Sequence, residues 1–404
     1  MTAENPADGV DLIGKLDILV RRYAAARDEF QQVETEDAVS RTRLAVALTE
    51  AMAARARVER EAREVALAGF TSAAGRLARP RRRARIDAQA DKALDQLRSL
   101  GRALVIARSG LWEGPPARGP GALRAMAAYA RRGADPAVQP LALFDQAWYL
   151  RSRADLAGTA GSPMVHYLLH GGFEGASPHP LFDPLYYQAR NDQALAASGL
   201  TPLEHFLRKG ASQARDPHPL FSIGHYVRQA PDLIASGQNP VLHYLQDGWR
   251  RGLSPHPLFS PDFYMAQAQA GDMPPLVHYL TLGSGLGLKP HPLFDPAWYL
   301  AAYPDVAGGG FEPLSHFLSA DPAERRRPGP WFDTERYMEL RGADLAPGRN
   351  ALVDYLEGGA WSVGEPWPGQ ANLGFLFAAA ELAASGMTPL EHWARQGEPQ
   401  IPSA

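Results

Sequence analysis

The stretch PHPLFDPAWYLAAYPDVAGGGFEPLSHFL, residues 290–318, decides the fold, because blurred copies of it fill most of the chain. Its opening pentapeptide PHPLF also occurs at 178–182, 217–221 and 255–259. Its histidine has counterparts at His166, His205, His243 and His278, with Asp354 and His392 continuing the series after His316. Its phenylalanine recurs as Phe144, Phe182, Phe221, Phe259 and Phe332. Two columns that keep one step of about 38 residues mean stacked supersecondary units, each hiding its apolar face against the next.

Each unit reads as two short helices. The residue after the phenylalanine is Asp145, Asp183, Ser222, Ser260, Asp295 or Asp333, a short acceptor suited to an N-cap. Pro184, Pro261 and Pro296 then take the first helical position, where a missing N–H costs least. That helix carries a tyrosine: Tyr149, Tyr187, Tyr226, Tyr264, Tyr299 or Tyr337. Ser162-Pro163, Thr201-Pro202, Asn239-Pro240 and Thr388-Pro389 start the second helix, and Thr201/Glu204 and Thr388/Glu391 have capping-box spacing. Gly171, Gly210, Gly248, Gly283 and Gly358 follow it, each expected as a left-handed C-cap. PHPLF is then punctuation: prolines hold a connector, Leu and Phe plug the next unit, and the cap starts its helix.

Residues 8–108 differ. They hold almost no Pro or Gly, and Leu16, Tyr23, Phe30, Leu44, Ala51, Val58 and Val65 share one heptad position, interrupted only by Asp37. Leu19, Ala26, Val33, Ala47, Ala54 and Ala68 form a second column three residues on, interrupted by Ser40 and Glu61, the seam of a helix seeking an apolar partner. The expected architecture is all-α: a coiled coil or helical hairpin over 1–108, then a solenoid-like array of about seven short helical repeats over 109–400. The last repeat is degenerate.

Composition limits the function classes. The 404 residues carry a formal charge of −3 and no cysteine, which excludes disulfides, thiolate metal sites and a cysteine nucleophile. The acidic start MTAENPADGVDL lacks signal-peptide order, and no run of about 18 apolar residues exists, so a cytoplasmic protein is expected. A peripheral membrane position or a place in a larger assembly stays open. P-loop, dinucleotide fingerprint, nucleophile elbow and HExxH are all missing, and neither cofactor nor metal site is expected.

The histidine column His166, His205, His243, His278 and His316 lies away from its helix's apolar stripe. It either bonds to the adjoining repeat or connector, or lines a ligand groove. One residue of each aromatic pair should face outward, which makes Trp148, Tyr186 and Trp298 candidates for holding a glycan or a partner. The connector histidines His179, His218, His256 and His291 are expected to be exposed or packed on a phenylalanine of the preceding unit. The run RLARPRRRAR offers Arg79, Arg81, Arg82, Arg83 and Arg85 as an anion site, or else a solvated linker. Nucleic-acid binding rests on that run alone and is not expected.

HPLFDPLYYQARNDQALAASGLTPLEHFLRKG (179–210) and HPLFDPAWYLAAYPDVAGGGFEPLSHFL (291–318) resemble a repeat found beside glycosyltransferase domains in proteobacterial surface-polysaccharide proteins. The resemblance covers about residues 107–400 and implies no catalytic residues, and this chain has no recognisable glycosyltransferase domain. It implies a non-catalytic scaffold or adaptor in surface-polysaccharide assembly or recognition, self-associating through the N-terminal coiled coil. The alternative is an attachment protein that binds capsule-like glycan. A glycosyltransferase-associated enzyme is the remaining reading.

Overall fold

The computed structural model describes residues 99, 101–114, 119–132, 139–156, 162–346, 348–361 and 387–396. The expected coiled coil over 1–108, with the arginine run at 79–85, lies outside these residues apart from the helix ending near Ser109. Among the described residues the fold is all-helical; the only β features are three isolated bridges inside PHPLF, such as His291–Phe294. Two compact halves divide the chain, Met1–Arg208 and Lys209–Ala404.

Among the described residues six repeats share one plan, and the helix Pro389–Gln396 takes the second-helix place of a seventh. The first helices are Gln146–Ser152, Pro184–Ser198, Ile223–Gln229, Pro261–Met265, Pro296–Ala302 and Thr334–Arg341. Five of the six expected caps accept a backbone N–H, as Asp295 does from Trp298 at 3.0 Å. Ser260 is the exception; its hydroxyl donates to Asp262 instead.

In four repeats the second helix starts as one α turn and widens into a π turn: Pro163–His166 with Tyr167–Gly171, Pro202–His205 with Phe206–Gly210, Pro240–His243 with Tyr244–Gly248, and Pro275–His278 with Tyr279–Gly283. The counterparts Pro313–Ser319 and Ala351–Leu356 stay α-helical. The Thr201/Glu204 capping box closes as expected.

The glycine expectation holds at Gly358, where φ is 131° just past the helix Ala351–Leu356, and needs correction at the other four positions. Gly172, Trp249 and Ser284, which follow the repeat glycines, are right-handed, and so is Gly210. The left-handed turn comes four residues later, at Gly175, Ala214, Gly252, Gly287 and Arg325. The glycines serve close packing instead: a Cβ at Gly171, Gly248, Gly283 or Gly359 would overlap the hydroxyl of the repeat's first-helix tyrosine. At Gly171, Gly248 and Gly283 the π turn brings the backbone onto that ring, and at Gly359 a 3-10 turn does so.

Each repeat buries an aromatic trio. Phe221, Tyr226 and Tyr244 have ring centroids 5.3–5.9 Å apart, and Phe259, Tyr264 and Tyr279 repeat the arrangement at 5.4–5.9 Å. Tilted and edge-on contacts of this kind add to the area each ring removes from water.

Neighbouring repeats are tied by backbone groups that helix ends leave unsatisfied. The cap residue's N–H donates to the first proline of the next PHPLF, as from Ser222 to Pro255 at 2.9 Å. The second-helix tyrosine accepts an N–H from the start of the next second helix: Tyr167 from Leu203, Tyr244 from Leu276 and Tyr355 from Leu390. Within the C-terminal half, contacts also skip two repeats. Arg228 pairs with Glu357, and Arg395 reaches Asp262 and Ser260 at 3.3 and 3.0 Å.

Candidate functional site

The histidine column meets a partner that helical geometry alone does not reveal. In each of five repeats its Nδ1 bonds to the first-helix tyrosine of the same repeat: Tyr149–His166 at 2.7 Å, Tyr187–His205 at 2.8 Å, Tyr226–His243 at 2.7 Å, Tyr264–His278 at 2.6 Å and Tyr299–His316 at 3.1 Å. The partner is therefore neither the adjoining repeat nor the connector. Burial pushes each of Tyr149, Tyr226, Tyr264 and Tyr299 well above the usual phenol range, so these phenols stay protonated. We assign the hydroxyl as donor to Nδ1, with the ring proton on Nε2. Burial, with Arg153 and His170 beside it, lowers His166 to about 4, and burial likewise lowers His316.

Repeat 6 replaces the histidine with Asp354, which accepts from Tyr337 at 2.7 Å and pairs with Arg341 and Arg349 at 2.9 and 3.2 Å. A carboxylate takes the same hydroxyl only because two guanidiniums balance its charge.

The connector histidines are buried, which corrects the expectation of exposure. Each Nδ1 accepts the N–H of the leucine two residues on, at 3.0–3.1 Å, for His179, His218, His256 and His291. The neutral ring then carries its proton on Nε2. In His291 that proton meets Glu391 at 3.0 Å. Burial would raise Glu391, but the His291 bond and the Thr388 donors outweigh it and hold the carboxyl at about 2. Burial among neighbouring imidazoles lowers His256 to about 3. Among the described residues no group of three or more His, Asp and Glu side chains could hold a metal ion.

What recurs on the outside is the residue before the buried tyrosine: Trp148, Tyr186, His225, Phe263, Trp298 and Arg336, each half-buried. Four of these are carbocyclic rings, and an arginine lies beside every one. Arg151 is 5.7 Å from Trp148, Arg190 3.8 Å from Tyr186, Arg395 5.7 Å from Phe263 and Arg327 6.0 Å from Trp298. The guanidinium comes from four different places in the chain, so the pairing is a property of the position. Trp148 is further fixed by its indole N–H, which donates to Ser177 at 3.1 Å.

The structure thus separates the candidates. His166, His205, His243, His278 and His316 point at interior hydroxyls, while Trp148, Tyr186 and Trp298 sit half-open on first helices. Sequence reading missed Arg151 and Arg190. Their spacing of three and four residues from an outward ring, on one helix, was the available signal.

A shallow cleft between Phe317, Asp321, Arg326, Thr334 and Asn350 has a cavity volume of only about 20 Å³, far below that of sites that bury a small molecule. Among the described residues no helix is long and apolar enough to cross a membrane. No family model, curated protein or solved structure matches this chain.

Proposed function

We propose that the chain is a non-catalytic helical-repeat scaffold or adaptor in bacterial surface-polysaccharide assembly or recognition. One observation carries the reading. The histidines that recur are engaged by interior tyrosines and backbone N–H groups, while the recurring outward feature is a ring with a guanidinium beside it. A site built for chemistry needs polar groups converging on one point; a surface repeated from unit to unit suits an extended partner. The resemblance of 179–210 and 291–318 to repeats beside glycosyltransferase domains supplies the glycan context.

A second reading, an attachment protein that holds glycan directly, is favoured by the half-open Trp148, Tyr186 and Trp298. Purification of the protein from its native cell, with identification of both bound proteins and bound glycans, separates the two. Glycosyltransferases in stoichiometric yield support the scaffold, glycan without them supports attachment, and neither would refute both.

A further inference from the structure

We infer that Trp148–Arg151 and Tyr186–Arg190 form two adjacent subsites for a carboxylate-bearing polysaccharide. The inference rests on the glycan reading above and names the class of glycan. The two pairs occupy the same position in consecutive repeats, both within the N-terminal half.

The charges decide the class. Several arginines that flank rings or helix ends already have carboxylates. Arg153 holds Asp155 and Glu174 at 2.8 and 2.5 Å, Arg326 holds Asp305 and Glu324 at 3.0 and 2.5 Å, and Arg395 holds Asp262. Arg151 and Arg190 are exposed, and neither makes an ion pair among the described residues. Each instead stands over a ring, which orders the guanidinium in advance and leaves its N–H edge open.

A sugar of an acidic polysaccharide has the two matching parts. Its C–H face packs against an aromatic ring, and its carboxylate takes two parallel N–H donors from arginine, a geometry that lysine cannot supply. A neutral glycan would use the ring alone and leave the guanidinium without a partner. The subsites recur with the repeat, as the units of one polymer do.

The test uses the full chain in native affinity electrophoresis against three polymers: polygalacturonate, neutral dextran and dextran sulfate. The variants are R151Q/R190Q, R151K/R190K and the exposed control R124Q, with circular dichroism and Tm verifying folding. The expected result is retardation by polygalacturonate above the other two polymers. R151Q/R190Q then weakens it at least tenfold, R151K/R190K restores only part, and R124Q changes nothing. Equal retardation by dextran sulfate makes the site a general polyanion surface and overturns the carboxylate assignment. Binding to dextran that R151Q/R190Q leaves intact overturns it too, while the glycan reading stands. Binding to none of the three removes both.

Discussion

The fit between Gly248 and Tyr226 gives a test of why the repeats need a glycine. A Cβ at Gly248 would overlap the Tyr226 hydroxyl and lie 3.1 Å from Nδ1 of His243. In Gly248→Ala the hydroxyl must leave its 2.7 Å bond to that nitrogen. Overpacking costs about 1–3 kcal/mol, and a buried acceptor left without a donor about 1–3 kcal/mol more. Against these stands the intrinsic helical advantage of alanine, about 1 kcal/mol. The net loss is about 1–5 kcal/mol, centred on about 3. Tyr226→Phe alone loses the hydrogen bond for about 1–3 kcal/mol. Together the two changes remove the overlap, leaving a ring carbon at 3.1 Å that must give by a few tenths of an ångström. Gly248→Ala should therefore cost at most about 1 kcal/mol in the Tyr226→Phe background, a coupling of about 2–3 kcal/mol within the range for residues in contact. Urea unfolding of all four proteins measures the cycle, and hydrogen exchange of peptides covering 240–252 locates the effect. A single Gly248→Ala change without cost, or an equal cost in both backgrounds, would refute the close-packing account.

Three further outcomes follow from other contacts. The folded protein favours neutral His256, lowered to about 3 against 6.5 unfolded, so its contribution is complete above about pH 6.5 and fades as pH falls towards 3. The slope from this ring is about 1.4 kcal/mol per pH unit between roughly pH 6 and 4; His256→Asn should flatten the Tm–pH curve there, and a parallel curve would contradict the burial argument. Asp354→His restores the residue of the other repeats but sets an imidazole between Arg341 and Arg349, with an expected loss of about 1–3 kcal/mol in urea unfolding. A gain in stability would show that the arginines do not depend on the carboxylate. Glu391→Ala removes the acceptor for His291 Nε2 and for the Thr388 N–H; amide exchange over 389–396 should rise at least tenfold while 141–171 stays unchanged, and unaltered exchange at 389–396 would count against that anchor.

The repeat, its caps and its prolines were legible because they act locally. Asp145, Asp183 and Asp295 are followed three residues on by the N–H that they accept, and that distance is written in the chain. The tyrosine–histidine bond was hidden because it spans 14–18 residues and depends on how two helices cross, which their individual periods do not state. The repeat glycines misled for a related reason. A glycine after a helix commonly means a left-handed residue, but here it means a hydroxyl against the backbone. Ala214 and Arg325, with φ of 52° and 49°, take the left-handed place where other repeats have glycine, so composition alone could not mark that turn. The connector histidines looked solvent-facing between prolines, yet the turn in PHPLF folds each ring back onto its own leucine N–H.

The ion pairs that reach past two intervening repeats, Arg228 to Glu357 and Arg395 to Asp262, limit how such a chain could change in length. A stack held only by immediate neighbours tolerates a duplicated or deleted brick anywhere. Here, one brick more or fewer between residues 228 and 357 would bring a different side chain opposite Arg228 and strand both charges. Variation in repeat number should therefore be confined to segments outside these spans, or be accompanied by exchange of both members of each pair.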